Sequence, residues 1–218
     1  KIQRPCEEDA KTTAARFMRE AEVMGRLSGA PNVVRVLDVG SLSDGRAYLV
    51  MEWIEGENLE ELLDGLRSAD SRMSIERACR LVADVARALE AAHRVGVVHR
   101  DVKPSNVMVD RSLPDREVAK LLDFGISADL GAGARDEHLT AAGVVLGTSS
   151  HVAPEQALGL PADPAFDVYA LGMVLFEAVT GHALPPAELA PLRLPPLGEL
   201  RAGVPPALEA LVLRCTSR

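Results

Sequence analysis

Apolar positions recur at helical spacing from Ala10 to Leu27, with Ala14, Phe17, Ala21 and Met24 on one face, until Ser28-Gly29-Ala30-Pro31 ends the pattern. Val33 to Val39 and Ala47 to Ile54 then read as two strands joined by a turn at Ser43-Asp44-Gly45, and Asn58 to Leu66 as a short helix. The clearest period follows. Ile75, Ala78, Cys79, Val82, Val85, Ala86 and Leu89 form one stripe, with Ser74 placed to cap its start and Gly96 to stop it. Short strands are predicted at Val97-Val98, Val107–Val109 and Ala119–Leu122. Residues 126–150, rich in Gly, Ala, Ser and Thr, read as a long loop, and loops of that length are usually functional or disordered. Pro164 to Thr180 predicts a buried helix through Val168, Leu171, Leu175, Phe176 and Val179. A stretch with five prolines, His182 to Val204, separates it from a last helix, Pro206 to Arg214. No internal repeat is present. Few strands followed by many helices predict an α+β fold.

Composition narrows the setting. The apolar fraction of 47% and charged fraction of 26% are those of an ordinary globular chain. A net charge of −8 with no basic run argues against a nucleic-acid partner. Cys6, Cys79 and Cys215 are far apart and make no metal-ligand spacing, so reduced thiols and a cytoplasmic location are expected. The longest apolar run, Val168 to Phe176, is too short to span a bilayer, so no membrane contact is expected of this segment. The chain opens on a lysine, with no signal peptide pattern.

The chemistry concentrates in His99-Arg100-Asp101-Val102-Lys103-Pro104-Ser105-Asn106 and in Asp123-Phe124-Gly125. Phosphoryl transfer from a nucleoside triphosphate needs a carboxylate to take the proton of the attacking hydroxyl and a cation beside the moving phosphoryl group. It also needs oxygen ligands for the bridging metal. Asp101, Lys103, Asn106 and Asp123 offer that set. Each has a plainer role in isolation: a turn-capping aspartate, a solvated lysine, a turn amide and a strand-ending turn aspartate. His99 follows Val97-Val98 on an apolar stretch, and packing, not proton transfer, is its expected role.

In order and spacing these motifs resemble those of protein kinases, and the chain is similar to a bacterial, eukaryotic-like serine/threonine protein kinase domain. The resemblance implies two lobes: an incomplete, small, β-rich N-lobe over residues 1–53 and a larger, mainly helical C-lobe over residues 54–218. It implies ATP as phosphoryl donor, protein Ser/Thr hydroxyls as acceptors, and Mg2+, or Mn2+ in its place. Asp101 would be the base, Lys103 the neighbour of the γ-phosphate, and Asn106 and Asp123 the metal ligands. Lys1 matches the strand lysine that holds the α- and β-phosphates, paired with Glu20; an Arg16–Glu20 surface pair is the alternative. Met51 corresponds to the gatekeeper, and the backbones of Glu52 and Ile54 to the adenine-binding hinge. Met108 corresponds to the apolar floor under the base, which core packing explains equally well. His99 would pack on Phe124, which precedes Gly125 in the metal-binding motif.

Gly147-Thr148 with Ala153-Pro154-Glu155 closes the long loop as kinase activation segments do, and Thr148 with Lys103 favours serine/threonine acceptors. Arg100, beside the base, implies control by loop phosphorylation, with Thr140 as the candidate acceptor and a plain loop threonine as the alternative. Asp167 resembles the aspartate that holds the catalytic-loop backbone; a helix N-cap is its simpler role. The resemblance also implies a domain cut at both ends. A glycine-rich loop is expected before Lys1, and this stretch alone would transfer phosphate weakly or not at all. His151 stands where relatives usually have tyrosine. A kinase-domain homodimer and a membrane anchor elsewhere in a parent protein are left open. The competing readings are a non-catalytic pseudokinase module and a small-molecule phosphotransferase of the aminoglycoside kind; the segment 147–155 counts against the latter.

Overall fold

A computed structural model describes residues 22–27, 29–43, 46–124, 150–184 and 194–217. The chain is α+β, with a small β part leading into a mainly helical part. Helix α1 (residues 22–26) buries Met24 against Leu27, Val33, Ala47 and Leu49. Strands β1 (Val36–Ser41) and β2 (Ala47–Met51) pair antiparallel, Val39 opposite Leu49, with a bulge between Val36 and Asp38. Just before β1 the backbone turns at Asn32, whose φ of 64° an asparagine tolerates. Its amide donates to the Ala119 carbonyl at 2.9 Å, and the Val34 N–H donates to that of Leu121 at 3.1 Å. The small sheet is thereby tied to the larger part.

A second sheet has the order β3 (Gly56–Asn58), β4 (Val107–Leu113), β5 (Arg116–Leu121), all antiparallel. Gly56 is required there: a Cβ would fall 1.9 Å from the Val109 carbonyl oxygen. Helix α2 (Leu59–Ser68) starts from a reciprocal capping box between Asn58 and Glu61. Helix α3 (Ile75–Arg94) is capped by Ser74, whose hydroxyl accepts from the Arg77 N–H at 3.1 Å. Its buried face carries Ala78, Leu81, Val82, Val85, Ala88, Leu89 and Ala92. Beyond it come α4 (Pro154–Ala157), α5 (Pro164–Thr180), α6 (Leu197–Leu200) and α7 (Pro206–Thr216). Helix α5 is buried on almost every side and packs on both α3 and α7. At Gly172 an added Cβ would sit 2.7 Å from that of Cys215, so α7 can approach only a glycine. Fully buried side chains such as Met173 and Val179 each contribute roughly 1.5–3 kcal/mol by leaving water.

Several expectations need correction. Val97-Val98 is irregular, not a strand: it connects α3 to the loop that follows, and its backbone is used there. Ile54 lies beyond the end of β2, and β3, too short to show a period, follows at Gly56. Val168 is 43% exposed, because α5 is apolar nearly all round and its one solvent-facing seam cannot be found from periodicity. The N-cap of α5 is Asp163, which accepts from the Ala165 N–H at 2.8 Å; Asp167 lies inside the first turn. The long loop and most of the first predicted helix lie outside the described residues.

Candidate active site

The site is built from below by a buried carboxylate. Asp167 is 1% exposed. Its Oδ2 accepts from the His99 N–H at 2.8 Å and from His93 Nε2 at 2.7 Å, and its Oδ1 accepts from the Arg100 N–H at 2.8 Å. A buried charge is stable only when so fully bonded. The clamp holds Arg100 at φ 67°, a left-handed conformation that a non-glycine residue occupies only when its surroundings impose it. Gln156 completes the restraint by donating to the Arg100 carbonyl at 2.7 Å.

His99, wholly buried, has its tautomer fixed by its partners. Nε2 faces the Leu122 carbonyl at 2.8 Å and must donate, while Nδ1 accepts from the Asp101 N–H at 3.3 Å. Burial holds its pKa below the ordinary imidazole value, partly offset by the Leu122 carbonyl and by Asp167, Asp101 and Asp123. A neutral ring with both nitrogens occupied positions the loop and offers no proton. The ring lies 4.7 Å, centroid to centroid, from that of Phe124, which is also fully buried.

Above this floor, Asp101 stands with its side chain 43% exposed. Lys103 Nζ approaches its Oδ2 at 2.8 Å, and Asn106 Nδ2 donates to the same oxygen at 3.0 Å and to the Asp101 carbonyl at 2.7 Å. Both of these side-chain contacts fall on one oxygen. Pro104–Asn106 is a single 3-10 turn, which brings Asn106 back over Asp101. Committing its Nδ2 to Asp101 leaves the Asn106 amide oxygen to serve a cation. Asn106 is also joined to the neighbourhood of Asp123, because the Leu122 N–H donates to the Asn106 carbonyl at 2.8 Å. Asp123 sits at φ 43°. One carboxylate and one amide oxygen suit a hard divalent cation whose remaining ligands are phosphate oxygens and water.

The connection out of β2 is also fixed by side chains. The Glu52 N–H donates to the Arg35 carbonyl at 2.9 Å, Glu52 Oε1 accepts from the Arg35 N–H at 2.9 Å, and Glu52 Oε2 meets Lys120 Nζ at 3.0 Å. Lys120 also reaches Asp110 at 3.3 Å. Ile54 is buried here, Trp53 is 88% exposed, and Met51 and Met108 are half-buried. Met108 lies on β4 opposite Asn58 and Lys120. Beside Lys103, a groove of about 310 Å3 includes Glu60, Asp64, His151 and Glu177. Burial lowers the His151 pKa to about 4, with Asp101 raising it and Lys103 lowering it. Burial raises that of Glu177, against the Leu184 N–H that its carboxylate accepts at 2.7 Å. Their 3.8 Å contact is an ion pair only when His151 is protonated.

Asp101, Lys103, Asn106, Phe124 and Asp167 are thus brought together, with Asp123 following Leu122 and Glu155 in the first turn of α4. Lys1, Glu20, Gly125, Thr140 and Thr148 lie outside the described residues. Sequence reasoning missed His93, Gln156 and the Glu52–Lys120–Asp110 group. Lys120 carried a usable signal, since it alternates with buried Ala119 and Leu121 on a strand and so faces the other side. His93 and Gln156 carried none.

Residues 1–190 match the family model described as "Protein kinase domain". The serine/threonine-protein kinase pkn3 of Myxococcus xanthus is 38% identical over 94% of this chain and 39% of its own length. The serine/threonine-protein kinase PknK of Mycobacterium tuberculosis is 44% identical over 77% of this chain and 14% of its own. The chain therefore spans well under half the length of these relatives. Among solved structures, the kinase domain of Mycobacterium tuberculosis PknI superposes with a TM-score of 0.73 at 27% identity, covering 100% of this chain and 76% of that one. The small β part and the helical part are accordingly the two lobes of a kinase-like fold. On its matched family model, its relatives and its architecture, the chain belongs to the protein kinase domain family.

Proposed function

We propose that this chain is the catalytic part of a serine/threonine protein kinase that transfers the γ-phosphoryl group of ATP to protein hydroxyls in the cytoplasm. The observation that carries the reading is the exposed Asp101 carboxylate, held by Lys103 and Asn106 over a backbone clamped by Asp167. Residues 1–53 would form the N-lobe and 54–218 the C-lobe, with ATP between them. The Glu52 carbonyl and the Ile54 N–H would receive adenine, with Met51 and Met108 against its faces. Lys1, ion-paired to Glu20, would hold the inner phosphates.

Asp101 orients the acceptor hydroxyl and takes its proton as the oxygen–phosphorus bond forms. Lys103 leaves its ground-state contact with Asp101 to neutralise the oxygens of the moving phosphoryl group. Asn106 and Asp123 would hold Mg2+, or Mn2+, which would supply positive charge to neutralise the phosphates. Thr148 would assist Lys103 in selecting Ser/Thr acceptors. Phosphorylated Thr140 would pair with Arg100 to order the loop that Glu155 closes.

The test is phosphoryl transfer from labelled ATP to a protein substrate by the intact protein carrying this chain, with nucleotide affinity measured alongside. Asp101→Asn should lower the rate by about 10³-fold, the middle of the range a positioned base supplies, and leave nucleotide affinity nearly unchanged. Equal rates for the variant and the parent would overturn the reading.

A further inference from the structure

A cavity of about 810 Å3 lies away from the catalytic loop, between α3 and the turn joining β4 to β5. Cys79 and Ala83 give it a floor of small side chains, and Leu113 and Pro114 form its far lip. Two ties fix its shape. Arg77 of α3 makes a two-pronged bond to Glu117 of β5 at 2.6 and 2.7 Å, and Arg111 donates to the same carboxylate at 3.0 Å. Asp84 of α3 accepts from the Ala119 N–H at 3.1 Å and from Arg87 at 2.5 Å.

These ties settle the charge that the cavity presents. Glu117 is shared by two guanidinium groups; burial pushes its pKa up, but those bonds outweigh it and hold it below the usual value. Asp84 is buried. Of the lining carboxylates only Asp115, at the tip of the turn, has no partner among the described residues. Against it stand Arg80 and Arg116, which have no side-chain partner among the described residues either, while Arg87, 54% exposed, already pairs with Asp84. Four arginines against three carboxylates line the hollow, a local reversal of sign in a chain of net charge −8. Leu113, 54% exposed at the same lip, adds an apolar surface that water covers poorly.

We infer that this cavity is a docking site for an acidic linear segment of a protein substrate, one that carries an aliphatic side chain to cover Leu113. Arginine forks match carboxylates in geometry, and walls already pinned need little ordering on binding. Several arginines spaced along one hollow beside an apolar lip fit a peptide better than a single small anion. The word substrate rests on the kinase reading; the site itself does not.

The test begins with the 218-residue chain and the anisotropy of a labelled Glu/Asp/Leu peptide, with a Ser/Leu peptide of equal length as control. The acidic peptide should bind, weaken with salt, and weaken by about tenfold in the double variant Arg80→Glu/Arg116→Glu. Ala83→Trp, which fills the floor from an exposed position, should abolish the same binding. Equal binding of both peptides, or unchanged affinity in both variants, overturns the site. In the intact protein, appending the acidic segment to a phosphoacceptor peptide should lower KM by about tenfold with kcat unchanged, and the double variant should erase that gain. Normal transfer with equal KM overturns substrate docking and leaves the kinase reading in place. No transfer at all, with the anisotropy result intact, removes the kinase reading and leaves an acidic-segment site.

Discussion

Asp167 and Asp101 are carboxylates on two sides of one short loop, and their surroundings assign them opposite work. Asp167 is sealed in, with both oxygens committed to backbone N–H groups and to His93. Asp101 is nearly half exposed, and its described contacts fall on one oxygen. The first holds shape and the second keeps reactive capacity. A buried, saturated carboxylate cannot meet a substrate; an exposed one cannot by itself hold a residue at φ 67°. The site needs both, stacked as floor and rim.

The sharpest way to break that contrast is to remove the floor. Asp167→Ala leaves the N–H groups of His99 and Arg100 and the ring of His93 without their acceptor, and should lower unfolding free energy by about 3–5 kcal/mol. Asp101→Asn, on the rim, should shift stability by no more than about 0.5 kcal/mol while removing activity. Urea unfolding of the two variants beside the parent protein decides it. Comparable stability losses would mean that floor and rim are not distinct.

The rim was legible in the sequence because its chemistry is local: Asp101, Lys103 and Asn106 lie within six positions and can be read as one motif. Helix α3 was legible because one buried face against a solvated one writes a clean period. The floor was only half legible. Asp167 was marked by its resemblance to the aspartate that holds the catalytic-loop backbone, yet its simpler assignment, the helix cap, belongs to Asp163. Its partner His93 comes from another helix, 74 residues earlier, and no local pattern encodes such a contact. Val168 was misplaced for a related reason: a helix covered from several directions loses the period that would mark its one exposed seam.

Titration probes the groove beside the rim. His151 lines the groove beside Lys103, with its pKa lowered by burial from 6.5 to about 4. A depressed histidine stabilises the fold as the neutral ring. That contribution is complete above about pH 6.5 and is lost as pH falls toward 4, because the unfolded chain takes up the proton first. His99 in the floor has the same sign, whereas Glu177, raised by burial, has the opposite one. Comparing His151→Phe with the parent isolates one group from these. The parent should lose about 2 kcal/mol more stability than the variant between pH 7 and pH 4.5. Parallel stability curves across that range would show that His151 does not titrate there.

The smallest effect is expected where polar contacts are neither sealed nor free. Glu52 and Lys120 meet at 3.0 Å with each side chain about 20% exposed, which is far wetter than the Asp167 clamp. Water still screens the pair, so its strength should lie between those of a surface pair and a buried one. Lys120→Met also frees Asp110, which Lys120 touches at 3.3 Å, so the single variant overstates the pair. A double-mutant cycle with Glu52→Gln removes that error, because the Asp110 effect appears in both arms and cancels. The coupling should be about 1 kcal/mol, measured by urea unfolding of the four proteins. Since Glu52 Oε1 still accepts from the Arg35 N–H when Lys120 is gone, the connection out of β2 should keep its course, and nucleotide affinity should fall only slightly. A coupling as large as the Asp167 loss would place this pair with the floor, and a coupling of zero would leave it a solvated contact with no part in holding the two lobes.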